Sequence, residues 1–501
     1  MSKKIIIIGA GPGGLTSGML LAHRGFQVDI YEKDSKVGGR NSSIEAQGYK
    51  FDVGPTFLMM KFLLDEIFQE TRRDINDYLE FQELTPMYKL HFKDFEMYPT
   101  TDRKDMKRQI KKNFPGEEKG FDKFMEKESV RFKRFFPCLQ KDYSSLREYL
   151  KPVFIKAIPY IATTKSMMQI LDNYFKSDEL KICFTFQSKY LGMSPWTCPG
   201  QFIIIPYIEY EFGVYHVKGG LSEISEAMAK VVKEEKGKIH LNTPIKRVLM
   251  RGKKAIGIEL ENGEKKYADK VIINADFAYA MTNLVPKGKL KKWSPQKLKG
   301  KEYSCSTFML YLGLDKLYDE EHHAIYFSDD YKNNLREISE KKVLSKDPSF
   351  YVRNASINDD TLAPKGHSAL YVLVPVPNNQ SNIDWKKEKE AFRELILQKI
   401  EEKTGMKDIR KHIKYEKVLT PWDWEKNNVY HGATFNLAHT ISQMLYWRPR
   451  NKFEEMENTY LVGGGTHPGS GLPTIYESGR ITANMISRHY NIKFFTKNLE
   501  V

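Results

Sequence analysis

Cysteine is scarce in this chain. Four occur among 501 residues, at Cys138, Cys183, Cys198 and Cys305. They make no C-x-x-C pair and have no histidine cluster beside them, which argues against a disulfide framework and against a metal site. They read as buried free thiols in a reducing compartment. Long apolar runs are also absent. Residues 5–8 are all isoleucine but lead straight into glycine, so they read as a buried strand and not as a leader. No stretch reaches the roughly 18–20 uncharged apolar residues that crossing a bilayer requires. On these grounds a cytoplasmic location is expected. Repeats and low-complexity tracts are missing too, so the chain reads as globular.

Acidic residues are in deficit. There are 64 Asp and Glu against 79 Lys and Arg, a formal charge of +15. Nucleic acid and anionic membrane surfaces both attract such a chain. No nucleic-acid recognition motif accompanies the charge, so nucleic acid is set aside as a partner. A chain of this length is expected to hold two or three domains.

What the chain does have is glycine at particular spacings. The strand at residues 4–8 runs into Gly9-Ala10-Gly11-Pro12-Gly13-Gly14, a G-x-G-x-x-G turn. A helical pattern follows to about Arg24, then a second strand ending at Glu32. Gly9 permits the tight turn, Gly11 lets the backbone approach a pyrophosphate, and Gly14 lets helix and strand pack closely. The helix N-terminus offers free N–H groups to the anion. Glu32, 18 residues past Gly14, can accept from ribose hydroxyls. This leaves NAD or FAD. Gly38-Gly39-Arg40 then adds two glycines for close approach and an arginine to offset pyrophosphate charge. Together these residues resemble the extended fingerprint of the FAD-dependent amine-oxidase and carotenoid-desaturase superfamily.

A second glycine-rich segment lies near the C-terminus. A strand at residues 460–462 meets Gly463-Gly464-Gly465-Thr466-His467-Pro468-Gly469-Ser470-Gly471-Leu472-Pro473, and a helix follows. Pro473 suits a first helical turn, and the partial positive charge of that helix end favours an anionic reduced flavin. His467 reads equally as a positioned loop histidine or as an acid–base group. It is the single candidate catalytic residue.

With this segment the resemblance becomes specific. The chain resembles bacterial carotenoid desaturases of the phytoene-desaturase type. Matching stretches run nearly end to end and include residues 9–14, 38–40, 52–56, Tyr190-Leu191-Gly192, Asn274-Ala275-Asp276, 373–377 and 463–473. Overall it looks most like the hydroxycarotenoid 3,4-desaturases of marine flavobacteria. It departs from many phytoene desaturases at Thr474-Ile475, where they carry Gly-Val; this leaves the polyene and the desaturated position open. The resemblance implies FAD contacts at Gly9, Gly11, Pro12, Gly13 and Gly14, at Glu32 and Lys33, and at Gly38, Gly39 and Arg40. It also implies contacts at the backbone of Val248, at Gly464 and Gly465, and along the flavin at Gly471, Leu472 and Pro473.

The implied reaction removes a hydride and a proton from neighbouring carbons of a long carotenoid, with FAD as hydride acceptor. The expected substrate is a 1-hydroxycarotenoid desaturated at positions 3,4. The alternatives are a phytoene or diapophytoene desaturase or a carotenoid isomerase; a soluble amine oxidase or a non-enzymatic carotenoid-binding flavoprotein is more remote. Oxygen or a quinone would reoxidise the flavin. The oligomeric state is not readable. An insoluble substrate calls for peripheral attachment to a membrane surface. Residues 129–136, which interleave Phe with Lys and Arg, and the apolar residues 152–170 have the character of interfacial helices.

The expected fold is α/β, with a Rossmann-like FAD-binding domain built from residues 1–75, 213–290 and 455–501. A mixed α+β substrate domain takes residues 76–100 and 291–454. A helical, membrane-associating insertion takes 101–212.

Overall fold

The computed structural model describes residues 3–161 and 164–496. Residues 1–2 and 497–501, at the outer ends of two expected cofactor segments, lie outside the described residues. So do residues 162–163 of the 152–170 stretch and the side chain of Tyr190.

Five parallel strands form the first sheet, in the order Lys238–His240, Gln27–Tyr31, Lys4–Ile8, Lys270–Ile273, Thr459–Leu461. Ile5, Ile6, Ile7 and Ile8 are all buried because the central strand is covered on both faces. Each such side chain contributes about 1.5–3 kcal/mol on burial. Ile5 and Ile7 meet the helices Pro12–His23, Ser222–Glu234 and Leu472–His489 on one face. Ile6 and Ile8 meet an antiparallel meander, Ile245–Arg251, Lys254–Leu260 and Lys265–Tyr267, on the other.

A seven-stranded mixed sheet forms the second layer, in the order Ile413–Leu419, Ser306–Leu314, Ser368–Val376, Phe350–Arg353, His323–Tyr326, Lys89–His91, Glu96–Met97. Ser306–Leu314 pairs with Ser368–Val376 over its full length. Alternate side chains take opposite faces. Phe308, Leu310, Leu312 and Leu314 pack under the helix Trp385–Lys403. Met309 and Tyr311 point the other way, towards Phe51 and Tyr371. The parallel sheet and the helical cover make this an α/β protein, as expected.

Residues 103–212 are mostly helical and share one core with residues beneath the second sheet. Here two expectations change. Phe132 and Phe136 are buried against Phe62 and Phe212, so the interleaved 129–136 stretch turns two of its three phenylalanines into the protein, and Phe135 is half-buried. Residues 152–170 do not form one interfacial helix. They break into the short turns Pro152–Ile155 and Ile158–Tyr160 and the start of Met167–Leu171. Pro152 and Pro159 interrupt any continuous backbone ladder there. Among the described residues, no helix is long and apolar enough to cross a membrane.

Candidate active site

A cavity of about 870 Å³ lies between the two sheets, outside the carboxyl ends of the parallel strands. Ligands of open α/β sheets bind at this edge. One half is lined by glycine-rich turns, the other by apolar side chains.

At the glycine end, Gly9, Gly11 and Pro12 line the cavity. Gly9 holds φ +97°, which a residue with a Cβ adopts only at a cost. Gly11 caps the helix Pro12–His23 without a side-chain hydrogen bond, so the first-turn amides remain available to an anion. Gly13 and Gly14 do not line the cavity; they close the joint behind it. A Cβ on Gly14 would stand 2.3 Å from the Gly9 carbonyl oxygen. Asn274, directly after its buried strand, donates from Nδ2 to the carbonyls of Gly9 (3.0 Å) and Gly11 (3.2 Å).

Glu32 also faces the cavity. Its Oε2 accepts from the Ala10 N–H at 2.7 Å and its Oε1 from the Asp34 N–H at 3.1 Å. Burial pushes the carboxyl upward, and the two amides oppose that shift. Lys33 stands at the rim with its Nζ on Asp34 (2.8 Å). Gly38 (φ +102°), Gly39 and Arg40 form the next wall. Arg40 Nη1 donates to the Thr434 carbonyl at 2.5 Å. With its amide turned to satisfy both neighbours, Asn436 accepts from Arg40 Nη2 (3.2 Å) and donates to Asp276 Oδ2 (2.6 Å). Burial lowers the Arg40 pKa and raises that of Asp276, and each charge opposes the other's shift.

The C-terminal glycines complete this half. Gly464, Gly465, Gly471, Leu472 and Pro473 line the cavity. Arg448 is fully buried behind them. It donates from Nε to the Thr466 carbonyl (3.1 Å) and from Nη2 to the Gly464 carbonyl (2.6 Å). Burial brings its pKa down to about 10. The Ser470 N–H donates to His439 Nε2 at 3.1 Å. Gly471, at φ +113°, starts the helix Leu472–His489 with no side-chain cap, so its positive end is open to the cavity.

Two expected residues stand elsewhere. Val248 is fully buried and paired with Ile258 in the meander. The cavity is lined instead by Thr243, Pro244 and Ile245, where that strand begins. His467 does not line the cavity either. Its Nε2 donates to the Lys141 carbonyl at 3.0 Å, and its ring packs edge-on against Tyr143. Burial brings its pKa down to about 4, so it stays neutral. The loop folds inward at this point, and the imidazole fastens it to the helical layer.

The other half of the cavity is lined by Met59, Phe186, Ile325, Phe350 and Leu373. A few polar groups interrupt it. Thr56 Oγ1 meets the Tyr351 hydroxyl (2.7 Å), which meets His323 Nδ1 (2.5 Å). Burial holds His323 well below its ordinary pKa. Lys189 and Cys305 also line it.

These features fit FAD. The uncapped helix Pro12–His23 suits the pyrophosphate, Glu32 suits a ribose diol, and the open end of Leu472–His489 suits the flavin edge. Asn274, Asp276, Asn436 and Arg448 were not assigned roles from sequence. Asn274 and Asp276 carried a signal, since they are polar residues directly after a buried strand. Arg448, with Pro449, lies in a stretch that matches the family but suggested no role, and Asn436, in an irregular segment, carried no signal.

Comparison with known proteins places the chain in a family. The profile of flavin containing amine oxidoreductases matches residues 12–487. A 4,4'-diapophytoene desaturase (4,4'-diapolycopene-forming) of Methylomonas sp is 53% identical over 98% of this chain and 97% of its own. An all-trans-zeta-carotene desaturase of Myxococcus xanthus is 37% identical over 97% of this chain and 93% of its own. Among solved structures, an oxidoreductase from Methanosarcina mazei superposes with a TM-score of 0.62 at 18% identity, covering 95% of this chain and 99% of that one. Putrescine oxidase bound to putrescine gives 0.62 at 13% identity, covering 97% and 99%. At such identities the two structures establish the fold alone. The chain belongs to the flavin-containing amine oxidoreductase family, in its phytoene-desaturase-type carotenoid desaturase branch, and its cofactor is FAD.

Proposed function

We propose that the protein desaturates an acyclic carotenoid of the diapophytoene or phytoene kind. The observation that carries this reading is the 53% identity, over nearly the full length of both chains, to the diapophytoene desaturase of Methylomonas sp. It favours an unsubstituted acyclic polyene over the 1-hydroxycarotenoid first expected. The geometry supports the same reading, because the glycine-lined half of the cavity opens directly into an apolar half. Bound FAD supplies a two-electron hydride acceptor. The chain's own work is to hold a polyene against Met59, Phe186, Ile325 and Leu373, to align one pair of carbons, and to exclude water.

A membrane surface as the source of substrate is part of this reading. Support comes from a patch where Leu146, Leu150, Ile155 and Ile158 are exposed, Leu150 to 72%. Ile441, Leu445 and Trp447 form a second exposed group, Trp447 to 57%. The Tyr149 and Tyr446 rings pack 6.4 Å apart and join the two groups. Arg147, Lys151 and Lys156 lie exposed among them. Exposed apolar residues with interspersed cations suit an anionic bilayer surface.

The test is anaerobic incubation of the FAD-loaded protein with diapophytoene, phytoene or a 1-hydroxycarotenoid in liposomes. Flavin bleaching and a product lighter by two hydrogens per new double bond are expected with the first or second. Bleaching with none of the three, or product of unchanged mass, overturns the reading.

A further inference from the structure

A desaturation leaves a proton to be removed, and His467 is not placed to take it. The apolar half of the cavity holds another base. Phe186 and Lys189 lie three residues apart on the 3₁₀ turn Phe186–Leu191. Side chains at i and i+3 of such a turn eclipse one another, and both residues line the cavity. The Lys189 Nζ stands 4.7 Å from the Tyr331 ring centre and 5.8 Å from that of Phe327. No ion pair of Lys189 with a carboxylate is found among the described residues; the one titratable group that acts on it electrostatically is the Cys305 thiol.

We infer that the Lys189 amine is the proton acceptor of the desaturation, facing the polyene from the apolar half of the cavity. This rests on the desaturase reading above. When bound, FAD would supply the two-electron acceptor for the hydride lost from one carbon, taking both electrons of that C–H bond. The neighbouring C–H bond then breaks, its electrons form the new C=C bond, and its proton goes to Nζ. The ammonium so formed is held over the Tyr331 and Phe327 rings, and it loses its proton to solvent after product leaves.

The surroundings keep the amine ready. Burial brings the Lys189 pKa down to about 7, so a large share is neutral at physiological pH. Cys305, directly before the strand Ser306–Leu314, is pushed up to about 12 and stays a neutral thiol, so it does not fix the ammonium as an ion pair. The Tyr331 hydroxyl, from the helix Tyr331–Arg336, is pushed far above its usual range and stays protonated. Tyr88 and His323 share the cavity. His323 is the competing base, but burial holds its pKa well below the ordinary value and weakens it as an acceptor.

Two measurements test this. The first needs no turnover. The FAD-free and FAD-loaded proteins are labelled briefly with acetic anhydride across pH, and Lys189 is followed by peptide mass spectrometry. A labelling midpoint near 7, with protection by lycopene in detergent, is expected. A midpoint near 10, like the surface lysines, overturns the inference. The second compares single-turnover flavin reduction in wild type, Lys189→Met and Lys189→Arg, with FAD absorbance and melting temperature as folding controls. The variants should lose roughly 100-fold or more of the rate while binding polyene as wild type does. The fall in rate below pH 7 should vanish in Lys189→Met. An unchanged rate and pH profile in Lys189→Met overturns the inference while wild-type turnover leaves the desaturase reading standing. A wild-type protein that reduces its flavin with no carotene overturns the desaturase reading itself, and the mechanistic role of Lys189 with it.

Discussion

The Asn274 side-chain amide donates at once to the carbonyls of Gly9 and Gly11. One residue directly after the strand Lys270–Ile273 therefore fixes the shape of the turn after the central strand. Replacing it with alanine leaves two carbonyls without this donor and opens space beside Gly14. A buried hydrogen-bond group left unmade costs about 1–3 kcal/mol. Asn274→Ala should weaken FAD binding by roughly 5- to 100-fold, read as flavin fluorescence released on dilution, with little change in the circular dichroism of the apoprotein.

Glu32 separates two roles that its position confounds. Its carboxylate faces the cavity, yet it also satisfies the Ala10 and Asp34 amides. Glu32→Gln keeps one acceptor oxygen and should retain the turn while losing charge towards the ribose hydroxyls. Glu32→Ala leaves both amides without a partner. FAD affinity should fall in the order wild type, Gln, Ala, and the melting temperature should fall clearly only for Ala. Titration of each apoprotein with FAD checks the order.

Much of the cofactor end was legible because its information is local. A turn that must take positive φ, or approach a neighbour within Cβ distance, declares itself through Gly9, Gly14 and Gly38. The strand at residues 4–8 declared its burial through four isoleucines. The rest depends on packing between distant segments. Nothing around residue 132 states that Phe132 meets Phe212 and not a bilayer. The register of Ile245–Arg251 decides that Ile245 and not Val248 reaches the cavity, and an even spread of apolar residues does not encode it. Arg448 has the composition of a surface residue, and only the fold buries it beneath Gly464.

The exposed patch at residues 146–158 and 441–447 makes a prediction separate from catalysis. Leu150 and Trp447 are exposed and neither lines the cavity, so charge there should spare the cofactor. Leu150→Asp with Trp447→Asp should reduce flotation with anionic liposomes at least several-fold. FAD content and melting temperature should stay as in wild type. Equal flotation of the double variant would place the membrane contact elsewhere.

His467 gives the pH prediction. An unfolded histidine titrates near 6.5, whereas burial holds His467 at about 4 in the folded protein. Between those values the unfolded chain binds the extra proton and the folded chain does not. Stability from this group is therefore fully present above about pH 6.5 and is lost progressively as pH falls towards 4. At 1.36 kcal/mol per unit the loss approaches about 3 kcal/mol as an upper bound. His467→Gln keeps a donor for the Lys141 carbonyl but does not titrate. Wild type should lose melting temperature steeply between pH 6.5 and 4, and the Gln variant less steeply over the same window. Flavin reduction by substrate at pH 7.5 should change less than 10-fold in His467→Gln, because this imidazole fastens the glycine loop to Lys141 and stands off the cavity. A loss of 100-fold or more with FAD still bound would return His467 to the chemistry.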